Sequence, residues 1–190
     1  FPPAMASGTS SLQGVPRLEV MQTSDMAEAD TFLEAWSGAR DFGLFAKFAP
    51  DAGAFAPRRV ILLGICRYSR VLLLDLRPYL ADSPRPLPQP LADFLEDERR
   101  TFYGMGLLQA AAHMAFEFDV VIRCIDFRVS AWKQLVLGGG LYGVANRYFE
   151  TSFVRPPALS QTSGQAVHAW LQWSVASYFM MFVGAPTEDW

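Results

Sequence analysis

The chain has 190 residues, of which 51% are apolar and 18% are charged, and its formal net charge is −3. This length suits one domain with a full hydrophobic core, and the composition excludes a disordered chain. The acidic balance weighs against nucleic acid as the main ligand, because domains that grip phosphates usually carry a basic excess. We predict a single domain over residues 15–190, preceded by residues 1–14 as a flexible lead or a remnant of cloning.

The two cysteines, Cys66 and Cys124, lie inside apolar runs, and we predict that both are buried, reduced thiols. This favours an intracellular, reducing compartment, without indicating an organelle. Residues 165–185 contain no charged side chain, yet polar residues interrupt them and no Lys or Arg flanks them. We therefore predict a buried core helix and no contact with a membrane.

The first half of the chain is rich in strand patterns. The pattern predicts a strand at 17–22, a helix capped by Thr23 or Ser24 and running to about Ser37, a strand at 43–49, a hairpin of strands 60–66 and 70–76, and an irregular proline-rich connection over 76–90.

In the second half of the chain, predicted helices and strands alternate up to residue 125, and only helices follow. The pattern predicts a helix at 91–97, a strand at 101–103, a helix at 107–116, a strand at 120–125, helices at 127–135 and 141–149, and a final helix over about 164–183. This order predicts an α/β domain whose mixed sheet has helices on both faces.

Several local sequences carry a family resemblance in the expected order. The run Thr101 to Gly106 is similar to a strand and turn, Ile125-Asp126-Phe127 is similar to a strand-to-helix step, and residues 165–182 are similar to a closing helix. Together they make residues 17 to about 184 resemble the DEDD 3′-5′ exonuclease domain of the ribonuclease D and Werner types. The resemblance implies a ribonuclease H-like (DnaQ-like) fold with a mixed β-sheet flanked by helices on both faces.

The chemistry of that family needs four carboxylates, which hold two divalent ions about 4 Å apart. The resemblance places the first pair at Ala46 and Phe48, the second motif at Ala110, and the last at Ser174, with Trp170 at the general-base position. None of these side chains carries a negative charge, and hard cations require charged oxygen ligands. The resemblance therefore implies a degenerate exonuclease without a metal or other cofactor.

The acids and histidines outside those positions have structural interpretations. Asp41 and Asp51 flank the first motif's strand and are too far from its middle to replace the pair. Asp126 matches a family position that does not bind metal, and we interpret it as an N-cap for a helix beginning at Phe127. His113 and His168 have no acid or nucleophile at a spacing that indicates a triad.

The predicted closing helix is apolar on all sides, and such a helix must be covered on both faces. Its outer face would contain Trp173, Met180, Ala169 and Val183. The cover is either a neighbouring helix or another protein chain, which is a hetero-partner or a second copy. We therefore expect an inactive exonuclease-like domain that acts as a protein-protein interaction scaffold, and the family resemblance implies that it does so in an RNA-processing or RNA-binding complex.

Two alternatives stay open at this point. A pseudoenzyme could bind single-stranded RNA or DNA without cleaving it, and an active nuclease could hold its metal at a relocated site. The basic strip that the first alternative would use consists of Arg58, Arg59, Arg67, Arg70, Arg99, Arg100 and Arg147.

Overall fold

The computed structural model describes residues 5–10, 18–49, 59–80 and 87–129, together with residues 143, 146, 175 and 176. The described strands are β1 Met5–Ser10, β2 Leu18–Thr23, β3 Asp41–Phe48, β4 Val60–Arg67, β5 Arg70–Asp75, β6 Thr101–Gly104 and β7 Cys124–Asp126. The described helices are α1 Met26–Glu34, α2 Arg77–Leu80, α3 Gln89–Glu96 and α4 Leu107–Phe118.

These strands form one mixed sheet in the order β1-β2-β5-β4-β3-β6-β7. Strands β3, β4 and β5 form an antiparallel meander. The sheet is then extended in parallel, by β2 beside β5 on one side and by β6 and β7 beyond β3 on the other. The predicted order of strands and helices from β2 to β7 is confirmed, with α2 as a short addition inside the proline-rich connection.

The edge strand β1 was not predicted. Met5–Ser10 pairs antiparallel with β2, and a bulge lies between Met5 and Gly8. The interpretation of residues 1–14 as a flexible lead is therefore wrong for this stretch. Its small polar residues lack an alternating apolar pattern, so only the pairing with β2 marks it as a strand.

An aromatic core fills the space between the sheet and the helices α1 and α3. The ring of Phe42 lies 5.1 Å from that of Phe94 and 5.6 Å from that of Phe102, and Trp36 lies 5.5 Å from Phe42. Edge-to-face and offset contacts of this kind are the favoured geometries for aromatic pairs. Alternate residues of the strands point to the opposite face, where side chains such as Leu62 are also buried, so the sheet is covered on both sides.

Arg100 joins the ends of α1 and α3. Its Nη1 donates to the carbonyl oxygen of Phe94 at 3.3 Å, and its Nη2 donates to that of Ser37 at 3.4 Å. The guanidinium also lies 4.0 Å from the centre of the Phe94 ring. Because carbonyl groups at helix ends have no partner within the helix, the buried guanidinium satisfies them.

Some predicted details differ from the structure. Asp25 caps α1 in place of Thr23 or Ser24, since its carboxylate accepts a hydrogen bond from the Ala27 amide at 2.8 Å. The predicted strand over 120–125 is reduced to β7, because the Val121 amide bonds the Glu96 side chain and not a strand. Cys66 is buried as predicted, whereas Cys124 is only partly buried.

No helix among the described residues is long and apolar enough to cross a membrane.

Candidate functional site

The predicted first motif lies on β3, between β4 and β6 in the sheet. Ala46 is paired with Leu63, and Phe48 with Val60. Both Ala46 and Phe48 are partly buried against the hydrophobic core that α4 helps to form. The methyl group and the phenyl ring therefore contribute packing at these two positions and offer no oxygen to a cation.

The structure brings the second motif close to the first. Ala110 lies in α4 and is 2% exposed. His113, one helical turn further on, places its ring 5.3 Å from the ring of Phe48, edge to face. Residues 110 and 113 lie on one side of the helix, because positions three apart are neighbours on a helix surface. Three of the predicted degenerate positions thus belong to one region, built from β3 and α4.

The lack of acids in the second half of β3 does not depend on the register of the alignment. The other face of the strand carries Phe45 and Lys47, so the four residues from Phe45 to Phe48 contain no carboxylate. Burial lowers the pKa of Lys47, and the charge of Arg77 lowers it further. A lysine at this position adds positive charge where a metal ion would need negative charge.

Glu117 is the one acidic residue of α4, and it is engaged with the start of β4. Its Oε1 lies 3.4 Å from Nε of Arg59, and its side chain is 9% exposed. Burial raises the pKa of Glu117, and the charges of Arg59 and His113 oppose that shift. Its Oε2 is buried without a hydrogen-bond partner. The ion pair with Arg59 makes this carboxylate a poor substitute for the missing metal ligands.

The remaining acid near the first motif lies at the far end of β3. Asp41 bonds the hydroxyl group of Tyr103, whose pKa rises to about 12 through burial first and Asp41 second. Asp51 lies outside the described residues. Within the described ranges, no three His, Cys, Asp or Glu side chains come together as a metal site requires. The described residues therefore do not fit the two ions that this chemistry needs.

Asp126 has a role beyond the predicted cap at Phe127. Its Oδ1 accepts hydrogen bonds from the amides of Gly106 and Arg128, both at 2.9 Å, and its Oδ2 accepts one from Leu108 at 3.1 Å. Burial alone would raise the pKa of Asp126, but the three amides and the charge of Arg128 together outweigh it, and the pKa is lowered. The side chain therefore caps the beginning of α4, and residues 127–129 form a turn instead of a helix.

The described arginines of the proposed basic strip lie in separate places in the fold, although Arg67 and Arg70 are paired across the β4–β5 hairpin. Arg59 and Arg67 are at opposite ends of β4, about 26 Å apart at the usual rise of a strand. Arg70 forms two hydrogen bonds to Glu19, and Arg99 forms two side-chain bonds to Asp97. Arg100 is 8% exposed and belongs to the core.

The other predicted positions lie outside the described residues, and they are Trp170, Ser174, Trp173, Met180, Ala169, Val183, His168, Arg58 and Arg147. From the closing helix the structure describes only Val175 and Ala176, which are helical and buried.

Comparisons with known proteins identify the fold of this chain but assign it to no family. No protein-family model matches the chain, and no curated protein matches it. Among solved structures, the crystal structure of the EXD2 exonuclease domain is 24% identical over 87% of this chain and 90% of that chain, with a TM-score of 0.50. The same domain soaked in Mn is 25% identical over 89% and 91%, with a TM-score of 0.50.

This chain has the exonuclease-domain fold. The prediction of an α/β, ribonuclease H-like domain with a mixed sheet is confirmed. The loss of catalytic carboxylates stays a prediction, because it rests on placing the motifs of that fold on this sequence.

Proposed function

We propose that this domain is a catalytically inactive exonuclease-like fold that acts as a protein-protein interaction scaffold in an RNA-processing or RNA-binding complex. The observation that carries the proposal is the chemistry of the β3 and α4 region. Ala46, Phe48 and Ala110 take the places of acids there, and the Phe48 ring packs against His113. Without clustered carboxylates, no protein ligands compensate a Mg²⁺ or Mn²⁺ ion for the hydration free energy that it loses on binding.

Exposed apolar side chains on and beside α4 support a contact with protein. Leu108 is 51% exposed and Phe116 is 82% exposed, and the two lie eight residues apart on the same side of the helix. Val121, directly after α4, is 70% exposed. Aromatic side chains such as that of Phe116 are enriched at protein interfaces. Trp173, Met180, Ala169 and Val183 stay candidates for the same contact, with a hetero-partner or a second copy as the partner.

The free thiols agree with a reducing compartment inside the cell, which we propose as the location. Cys66 is fully buried and burial raises its pKa, while the pKa of Cys124 rises to about 11 through burial first and Asp126 second. Both thiols are therefore protonated and poorly reactive at neutral pH.

Nuclease activity is the direct test of inactivity. The domain and an active 3′-5′ exonuclease domain would be incubated in parallel with labelled single-stranded RNA and DNA, with Mg²⁺ or Mn²⁺. We expect degradation by the active domain alone, and no saturable Mn²⁺ binding to this chain by calorimetry. Degradation that EDTA abolishes, or a stoichiometric Mn²⁺ site, would establish an active nuclease with a relocated metal.

The scaffold role is tested by isolating partners from the native cell and identifying them by mass spectrometry. The variant Phe116→Asp should lose a specific partner while keeping its thermal unfolding profile. Tyr68→Asp is the matched control, because Tyr68 is also an exposed aromatic residue but lies at the β4–β5 turn with φ of 51°, where Asp is tolerated. Charged substitutions of Trp173 and Met180 test the closing helix in the same way. Retention of every partner by all of these variants would reject the scaffold.

A further inference from the structure

Helix α4 exposes an apolar face where a surface helix normally carries charged residues. The exposed positions lie on one side of the helix, since residues three, four and seven apart share a face. They are Leu108, Gln109, Ala112, Ala115 and Phe116, and none of them is charged. The two large side chains are 51% exposed at Leu108 and 82% exposed at Phe116, and the two alanines lie between them in the sequence. A helix that is apolar on this side as well as on its buried side needs cover from another protein surface.

Opposite charges lie at the two ends of α4. At the first end, Nη2 of Arg128 lies 2.8 Å from the place that a Cβ atom on the N-cap Gly106 would take. The Arg128 side chain is 52% exposed, and its ionic contact is Oδ1 of Asp126, 3.6 Å from Nε. At the other end lies the exposed C-cap Asp119, whose side chain bonds no described residue. A cation and an anion are therefore open to a partner at opposite ends of one helix.

Each of these charges opposes the dipole of its own helix. The N-terminus of a helix carries a partial positive charge and the C-terminus a partial negative charge. Arg128 lies beside the positive end, where Asp126 compensates it only in part, because the oxygens of Asp126 already accept three amide hydrogen bonds. Asp119 lies at the negative end. A second α4 that runs antiparallel to the first reverses both relations, since it brings its own C-terminus and its own Asp119 beside Arg128.

The order of side chains along α4 matches itself when the helix is reversed. Leu108 and Phe116 lie about one helical turn before and after Ala112. A two-fold axis at Ala112 therefore places Leu108 of each copy opposite Phe116 of the other, as an isologous contact requires. The small side chain of Ala112 lets the two helix axes approach to about 8 Å, the lower end of the usual range. The same axis brings the N-cap of one helix level with the C-cap of the other.

We propose that two copies of this chain associate through antiparallel α4 helices about a two-fold axis at Ala112, with Arg128 of each copy beside Asp119 of the other. The inference rests on the proposed function, because it takes the α4 face as a protein contact and names a second copy as its partner. One helix face is smaller than a standard interface, so the dimer belongs to the weak, transient class. Its dissociation constant is in the micromolar range, and sodium chloride weakens the dimer by screening the two end pairs.

The test is sedimentation of the full chain at concentrations from about 1 μM to about 300 μM, which span the expected dissociation constant. We expect a monomer–dimer equilibrium in wild type. Phe116→Asp and Ala112→Lys should each abolish the dimer, because they bury unpaired charge in the contact. Ala35→Lys, at an exposed alanine that ends α1, is the matched control and should dimerise as wild type does. Far-UV circular dichroism and thermal melts establish that each variant is folded. A wild type that is monomeric at the highest concentration, or a dimer in both α4 variants, would overturn the proposal.

A double-mutant cycle tests the end pairs. Arg128→Gln and Asp119→Asn remove one charge each, and asparagine tolerates the left-handed backbone of residue 119, where φ is 56°. Each single substitution should weaken the dimer about three- to tenfold, because it removes two symmetric ion pairs. The combined variant should be little weaker than either one, since the second substitution removes a charge that has already lost its partner. Losses that multiply would mean that the two residues do not contact each other, which contradicts the proposed register.

Engineered cysteines test the antiparallel direction. Under mild oxidation, Ala112→Cys should form a disulfide-linked dimer, because the two copies of residue 112 lie together at the axis. Leu108→Cys should not, since the two copies of residue 108 are about 12 Å apart along the helices, which is beyond the reach of a disulfide. Wild type gives the background from Cys66 and Cys124. Equal crosslinking at both positions would indicate a parallel pair and contradict the proposal.

The inference and the proposed function can fail separately. A monomeric wild type whose Phe116→Asp variant still loses a partner from the native cell would reject the second copy and keep the scaffold. A dimer that forms as described, in a chain that shows metal-dependent nuclease activity, would keep the α4 contact and reject the inactive scaffold.

Discussion

Asp126 illustrates how one buried carboxylate connects segments that are distant in sequence. Its three amide donors belong to Gly106, Leu108 and Arg128, and its pKa is lowered because these donors and the Arg128 charge together outweigh burial. A carboxyl group whose folded pKa lies below its unfolded value stabilises the fold above the unfolded pKa. This stabilisation is lost as the pH falls through the folded pKa.

Asp126→Asn should destabilise the domain by about 1.5–3 kcal/mol, the range for hydrogen bonds to charged groups. An asparagine can present only one acceptor atom, so its amide nitrogen would face the Leu108 or the Gly106 amide, donor against donor. Urea unfolding at neutral pH measures the change. Asp93→Asn, at an exposed position of α3, is the control and should stay within about 0.5 kcal/mol. Equal effects of both substitutions would show that Asp126 is not a cap.

Glu117 should produce the opposite dependence on pH. Burial raises the pKa of Glu117 in the folded state above its pKa in the unfolded state. At a pH between these two pKa values, the carboxyl group is therefore more protonated in the folded state than in the unfolded state. The free energy of unfolding then falls as the pH rises through this window. The stability of wild type relative to Glu117→Gln should therefore increase as the pH is lowered from about 7 to about 4, toward the ordinary pKa of glutamate.

Urea unfolding of both proteins over a series of pH values measures this relative slope. Glu34→Gln, at an exposed position of α1, is the control and should run parallel to wild type. A relative slope of the opposite sign for Glu117→Gln would mean that the ion pair with Arg59 outweighs burial.

At the scale of elements, the pairing of β3 with β6 requires glycine at the end of β6. A Cβ atom on Gly104 would overlap the backbone oxygen of Leu44, which cannot rotate away as a side chain can. Gly104→Ala should therefore destabilise the domain by about 1–3 kcal/mol, the cost of overpacking.

Gly38 offers the matched substitution, because nothing lies within 4 Å of a Cβ added there. Gly38→Ala should leave stability unchanged or raise it by up to about 1 kcal/mol, since alanine restricts the unfolded chain. Thermal unfolding of the two variants compares the sites. Similar melting temperatures would mean that β6 can shift away from β3.

At the scale of the whole molecule, the elements with a strong local pattern were predictable. The hairpin of β4 and β5 has long runs of β-branched and leucine residues on either side of a turn, and α4 has apolar residues at helical spacing. Strand β1 has no such pattern and exists through its pairing with β2. The predicted strand over 120–125 has the apolar pattern of a strand, but only its last two residues belong to β7 and pair with β6.

The chemistry of the candidate site stays a prediction, and its geometry was predictable only in part. Ala46, Phe48 and Ala110 were placed by motif, and the structure brings Phe48 against α4. The grouping of arginines into a strip could not be judged from the sequence, because the partners of Arg59, Arg70 and Arg100 are far from them along the chain. Arg100 shows this most clearly, since its burial depends on two helix ends that are far apart in sequence.

The sequence by itself determined the order of strands and helices from β2 to β7 and the absence of acids between Phe45 and Phe48, because both follow from the identity of neighbouring residues. Only the tertiary structure decided that Asp126 caps α4 and that Arg100 is buried between the ends of α1 and α3. A hydrophobic pattern is local and repeats along the chain, whereas the partner of a buried polar group is whichever donor or acceptor the fold brings within about 3 Å.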